Sequence, residues 1–249
     1  LRTEGHNTLV LNPGLADGQR SNGVSHIYQT YSSSERSHMI VDMTHAYSDH
    51  AAKVKRGFAL IDNRTKFLLQ DEIKLKAPGQ VYWFMHTQAD IDIRDGGRSA
   101  LLSATAGSQT KYLWVRILND NLVFEELDPV PLPTSPDPSG QASNPGKKLT
   151  IHATEIDELQ LAVLFVPLPD GPTPPSAWPQ VRDLKDWAAE THAPILYPAA
   201  DGFVRGGDYA NDNYGSENGI ELKNDSSANF KREGYMKFDV SDVHAPIVS

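Results

Sequence analysis

From Thr8 to about Val166 the chain is cut into short β-type runs, at 9–11, 25–31, 38–44, 53–62, 66–75, 80–87, 91–94, 99–105, 111–117, 148–155 and 158–167. Gly, Asn, Asp or Pro punctuates them, and no stretch of helical length keeps a 3.6-residue apolar period. Strands at this density, without crossover helices between them, must pair with near neighbours through short loops. The expectation is an all-β fold, a large antiparallel β-sandwich with long Pro-rich loops. Two turns can be read in detail. Gly96-Gly97 separates 91–94 from 99–105 as a hairpin signal, and Asp62-Asn63-Arg64 joins Phe58-Ala59-Leu60-Ile61 to Phe67-Leu68-Leu69-Gln70.

Residues 129–145 hold six prolines together with Ser, Gly and Asp. Such a stretch offers too few backbone donors for a sheet and is expected as an exposed loop. A second Pro-rich stretch, 167–179, precedes Val181-Arg182-Asp183-Leu184-Lys185-Asp186-Trp187-Ala188, expected as the one short helix. Beyond Pro198 the composition turns to Gly, Asn, Asp and Tyr. These shifts divide the chain into a β-sandwich over 1–166, a connector over 167–198 and a β segment over 199–249, the last short for an independent fold.

At 249 residues the chain can bury a substantial core. Its mean hydropathy of -0.44 describes a water-soluble chain, and no apolar run nears the ~20 residues of a membrane-spanning helix. The absence of cysteine removes disulfides, thiolate zinc sites and thiol nucleophiles, and leaves the redox compartment open. A net charge of -9 argues against a general nucleic-acid binder, which needs a concentrated basic surface. It leaves room for an anionic sugar polymer gripped by a local cluster of Lys and Arg. The chain begins on Leu1 rather than Met, with no signal-peptide pattern before the first strand, as expected of an excerpt from a longer polypeptide.

His6 is the leading candidate for chemistry. It precedes the apolar run Leu9-Val10-Leu11, and a strand end is where a sheet presents a side chain to a ligand. The alternative is a histidine satisfied by neighbouring backbone at a strand start. Asn7 reads as a turn or capping residue. Asp42, His45, Asp49 and His50 cluster in sequence, and His with carboxylate suits zinc or manganese, but a solvated loop around Tyr47-Ser48-Asp49-His50 is the favoured reading. His86, in an aromatic strand beside Trp83 and Phe84, is expected as a satisfied core histidine.

Five stretches in order, Gly5-His6-Asn7-Thr8-Leu9-Val10, Val41-Asp42-Met43-Thr44-His45-Ala46-Tyr47, Lys55-Arg56-Gly57-Phe58, Gln70-Asp71-Glu72-Ile73 and Trp83-Phe84-Met85-His86-Thr87, resemble the β-sheet domain of heparinase II/III-like polysaccharide lyases. The resemblance covers roughly the first 165 residues and is nearest to the alginate-cleaving members. It implies β-elimination on a uronate polymer, in which the substrate carboxylate is neutralised so that the proton at C5 can leave. His6 would match the sheet-domain histidine facing the cleft of an upstream helical toroid, which carries the general base. The chain alone would then form one wall of an active site and be inactive by itself. No cofactor is required by this reading. A divalent metal, held in some related lyases by a His-x-His pattern, lacks that pattern here, since Glu4 and Thr8 flank His6 at two residues.

A second resemblance lies in Ala200-Asp201-Gly202-Phe203-Val204-Arg205-Gly206-Gly207-Asp208-Tyr209, Ile220-Glu221-Leu222-Lys223-Asn224 and Lys231-Arg232-Glu233-Gly234-Tyr235-Met236-Lys237-Phe238-Asp239. These look like the opening strands of a jelly-roll carbohydrate-binding module, so 199–249 is expected as a partial jelly-roll segment. Arg205, Lys223, Arg232 and Lys237 would converge on one face as a substrate-binding strip for uronate carboxylates. The alternative is ordinary surface charge beside Glu221, Glu233 and Asp239. Together the resemblances imply a secreted, extracellular bacterial alginate lyase, whose partners are an anionic polysaccharide and its own toroid, with no membrane or nucleic acid. Two rival readings remain: a non-catalytic carbohydrate-binding or adhesion protein, and a lyase of the same superfamily acting on heparin-type glycosaminoglycans.

Overall fold

The computed structural model describes residues 2–14, 18–119, 121–136, 145–190, 198–217 and 219–238. The chain divides into two units, 1–188 and 189–249. In the first, the strands are β1 (Leu9–Leu11), β2 (His26–Ser32), β3 (Ser37–Asp42), β4 (Ala51–Ile61), β5 (Lys66–Thr87), β6 (Asp90–Arg94), β7 (Ser99–Ala106), β8 (Gln109–Ile117), β9 (Phe124–Leu127) and β10 (Lys147–Leu168). All their pairings are antiparallel, in the order β2-β3-β4-β5-β10-β8-β7-β6, with β1 on β5 and β9 on β10.

The two longest strands each replace two of the runs read from sequence. Ala77-Pro78-Gly79 does not end β5, because the ladder to β10 is interrupted there: partners jump from Glu158↔Lys74 to Ile156↔Gly79, so no hydrogen bond from Pro78 is needed. Glu155 takes φ 56° at the same bend. This break folds one continuous sheet into two layers. Trp83 is paired with Ile151 and Phe165 with Phe67, positions roughly 45 Å apart along a straight ladder. The Trp83 and Phe165 rings nevertheless lie 6.4 Å apart. The core between the layers therefore joins Leu9, Leu11, Val81, Trp83, Phe124, Leu149 and Ile151 of the small layer to Val54, Leu69, Ile73, Val115, Ile117, Leu161 and Val163 of the large one.

The expected turns are present. Asp62, Asn63 and Arg64 all take positive φ between β4 and β5, and Gly96 and Gly97 do so between β6 and β7. Arg56 and Asp71 are cross-strand partners of β4 and β5 and point into the inter-layer core. Their contact is bidentate, Nε to Oδ1 at 2.7 Å and Nη2 to Oδ2 at 2.9 Å. Burial works against charge on Arg56, and the Asp71 carboxylate outweighs it, so the guanidinium is held above its ordinary value.

The helix expected at 181–188 is a 3₁₀ segment, Leu184–Glu190, docked on the outer face of the large layer. Residues 178–187 form a strap there. Gln70 Nε2 donates to the Arg182 carbonyl at 2.6 Å, and Glu72 Oε1 accepts from the Leu184 amide at 2.6 Å. Arg116 lies 3.6 Å over the Trp178 ring. Leu184 and Trp187 sit directly on Gly57, where any Cβ would collide with both side chains. The Pro-rich stretch 129–145 is likewise not wholly exposed: Leu132 is buried against Val10 and Phe84 on the outside of the small layer, while 137–144 lies outside the described residues.

The second unit pairs β11 (Pro198–Arg205) with β12 (Arg232–Phe238) in a two-stranded antiparallel sheet.

Two outcomes test this packing. Asp71→Ala strands the Arg56 charge in the core and should lower unfolding free energy by about 3–5 kcal/mol in urea denaturation, whereas Arg56→Met with Asp71→Leu should cost far less. Gly57→Ala should destabilise by about 1–3 kcal/mol through overpacking against the strap, and Trp187→Ala in the same background should relieve the part of that clash made by the indole, so that the double mutant loses less than the sum of the two single losses.

Candidate functional site

Where β5 ends, a cleft of about 490 Å³ opens between Gly5, His6 and Asn7 on one wall and His86, Thr87 and Gln88 on the other, with Pro145 at its margin. His6 is exposed and follows a 3₁₀ turn, Thr3–Gly5, to which its amide donates through the Thr3 carbonyl at 3.1 Å. Glu4, buried in that turn together with Thr3, anchors it. Its Oε2 accepts from the Leu132 amide at 3.2 Å and from Ser135 Oγ at 3.0 Å.

Asn7, expected as a turn or capping residue, instead bridges to a distant strand: its Oδ1 accepts from the His86 amide at 2.7 Å. Sequence reasoning misplaced His86. Strand alternation from Trp83 and Met85 puts it on the outer face with Tyr82 and Phe84, at the cleft rather than in the inter-layer core. Its Nε2 lies 3.0 Å from the Glu4 carbonyl. Alternation relative to Trp83 carried the signal, obscured by the aromatic neighbours.

Next to His86 on β10 is Lys148, 1% exposed, with Nζ donating to the Val130 carbonyl at 2.7 Å and lying 4.7 Å over the Phe84 ring. Burial holds its pKa below the ordinary lysine value, against the pull of Glu4 and Asp128. His86 is also held low, by burial first, with Lys148 and His6 adding to the effect and the Glu4 carbonyl opposing it. Further along the same face His152 stacks on Tyr82 at 3.9 Å, and its Nε2 donates to Gln80 Oε1 at 3.1 Å. It too is held low by burial.

The Asp42–His50 stretch behaves as a turn. Asp42 Oδ1 accepts from the Thr44 amide, His45 Nδ1 accepts from the Val24 amide, and Asp49 meets Arg20. No three His, Asp or Glu side chains among the described residues form a group of metal-binding size. Tyr47 is instead a core support: its hydroxyl donates to the Leu9 carbonyl at 2.9 Å and takes the Gln19 amide at 2.5 Å.

In the second unit, Arg205 and Arg232 are cross-strand partners, and Lys223 bridges to Arg232, so these three share one side. Lys237 does not join them. It lies an odd number of residues from Arg232 and opposite Ala200, on the other side of the sheet, which corrects the expectation of a four-residue strip. Arg232 pairs with Glu221 at 2.6 Å and Lys223 with Asp225 at 3.0 Å. Arg205 lies 4.0 Å over the Tyr209 ring, beside the Phe203–Tyr214 stack. Such a face, cationic and aromatic, suits an acidic sugar.

The first unit thus carries an imidazole-lined cleft, and the second a cationic and aromatic face. Residues 194–249 match the model of carbohydrate-binding module family 96. No curated protein matches the chain. Among solved structures it is similar to heparan sulfate lyase HepC from Pedobacter heparinus, at 16% identity and TM-score 0.50, over 70% of this chain and 26% of that one. It is also similar to the heparinase III BT4657 gene product, at 13% identity and TM-score 0.49, over 95% of this chain and 30% of that one. The chain thus spans about a quarter of the length of HepC and shares its fold with part of that lyase.

The lowered histidines predict a pH dependence. A histidine whose folded pKa is depressed below 6.5 resists protonation that the unfolded chain accepts. Its stabilising contribution is complete above 6.5 and is lost as pH falls through the folded value. Urea midpoints measured from pH 8 to 5 should therefore decline on the acid side, and His86→Gln with His152→Gln should flatten that decline.

Proposed function

We propose that this chain is the β portion of a secreted polysaccharide lyase that cleaves a uronate polymer, alginate, by β-elimination. A helical toroid domain supplied upstream completes the site. The reading rests on one observation: His6 stands exposed on a braced turn at the edge of a cleft, where it can meet a ligand from outside the sandwich.

In the elimination, the C5–H bond breaks, its electron pair forms the C4–C5 double bond, the C4–O bond breaks, and the leaving oxygen gains a proton. The substrate carboxylate resists this until its charge is neutralised. His6 donates a hydrogen bond to that carboxylate, or to the residue that carries the proton, and stabilises the enolate-like charge as it develops. The base lies on the toroid, so this chain alone is inactive. Arg205, Lys223 and Arg232 hold the polymer at the second unit.

A second substrate reading is favoured by the fold likeness to HepC, a heparan sulfate lyase: a heparin-type glycosaminoglycan also presents a uronate carboxylate to His6. In the enzyme completed by its toroid, alginate should yield unsaturated uronate absorbance and heparan sulfate should not. The reverse result moves the assignment to glycosaminoglycans. His6→Ala should lower kcat about 10²–10⁴-fold, the range for losing a proton-transfer or charge-stabilising group. Product formation on neither polymer, with binding retained, would leave the carbohydrate-binding or adhesion reading.

A further inference from the structure

We propose that His86 is the positioning residue of the cleft, bracketing His6 by holding the turn on both of its sides. The two attachments are distinct. On the N-terminal side the His86 ring reaches the Glu4 carbonyl, and on the C-terminal side the His86 amide donates to Asn7 Oδ1. His6 is suspended between these points, and the strand after it is fixed by the Phe84 amide donating to the Thr8 carbonyl at 3.1 Å.

The chemistry of the first attachment sets the tautomer. A backbone carbonyl only accepts, so Nε2 of His86 must carry the hydrogen, and Nδ1 is then the acceptor of the neutral ring. The ring therefore serves the turn without taking up charge. The charged or titratable groups around it are Lys148 on β10 and His6 and Glu4 on the turn. A protonated His86 would sit beside Lys148, so the ring holds the turn in its neutral form.

Glu4 gives the bracket a fixed base. Its carboxylate is tied to 132–135 while its carbonyl is tied to His86, so one residue joins the turn, β5 and the loop that covers the small layer. The consequence for catalysis rests on the lyase reading, but the bracket itself does not.

The test uses the 249-residue chain with labelled histidines and no substrate. Ring nitrogen shifts at pH 7 should show His86 as the Nε2–H tautomer, a measurement that needs no variant. His86→Phe should speed hydrogen exchange at the Gly5 and His6 amides by about tenfold, as expected of local opening, and shift the His6 ring resonance. His86→Gln, whose side-chain amide reaches the same carbonyl, should restore both. A Nδ1–H tautomer would overturn the proposal. So would unchanged Gly5 and His6 exchange in folded His86→Phe, or failure of Gln to rescue it at equal Tm. A failed bracket leaves the His6 reading of the lyase standing, and an inactive enzyme leaves the bracket standing.

Discussion

The buried pair of Arg56 and Asp71 is the interaction on which the sandwich turns. Its side chains are 6% and 1% exposed, flanked on their own strands by Val54, Phe58, Leu69 and Ile73. A single charge there would be intolerable, and the bidentate contact satisfies both groups only when Arg56 faces Asp71 in register. Slipping β4 by one residue would throw the guanidinium to the other face, onto the strap, and leave the carboxylate alone in the core. The pair adds little net stability over an apolar substitute. It makes the wrong registers costly, and that selects one arrangement of β4 against β5.

The correct register then reaches the cleft through Tyr47. Arg56 lies close enough for its charge to act on the phenol, whose pKa burial pushes up. That hydroxyl holds the Leu9 carbonyl, and Thr8 Oγ1 is 3.2 Å away. The start of β1 is thus fixed from within the core, and the turn bearing His6 is fixed from outside by Glu4 and His86. A site residue held from both directions loses little freedom on meeting a ligand, which is the condition for a hydrogen bond to act mainly on a transition state.

Most strand positions, the two left-handed turns and the all-β class were legible because they follow from local chemistry: apolar alternation, and residues that accept positive φ. The two-layer fold was not, because a bend inside β5 depends on a ladder interruption involving residues far apart in sequence, Gly79 with Ile156. The short motifs were informative in an unexpected way. Of the stretches that suggested a family, Tyr47, Arg56, Gly57, Gln70, Asp71, Glu72 and Trp83 proved to be the polar core, the strap contacts and the packing centre. They identify the scaffold, and within them only His6, Asn7, His86 and their immediate neighbours line the cleft. His86 was hidden because a histidine among aromatics reads as core until its parity with Trp83 is followed.

Under the proposed binding role, the acidic balance of the chain shapes how the second unit would meet a polyanion. Arg232 and Lys223 already carry acidic partners, Glu221 and Asp225, at partly exposed positions. Such surface pairs are worth about 0–1 kcal/mol each, so a polymer carboxylate can exchange with them at small cost and equally small gain. Arg205 differs: its guanidinium lies on the Tyr209 ring and donates to the Asn229 carbonyl. A carboxylate approaching Arg205 keeps the ring contact and displaces no acidic side chain from it. Under the proposed binding role, affinity would therefore be concentrated at Arg205, with Arg232 and Lys223 supplying a weaker, readily screened field along the face.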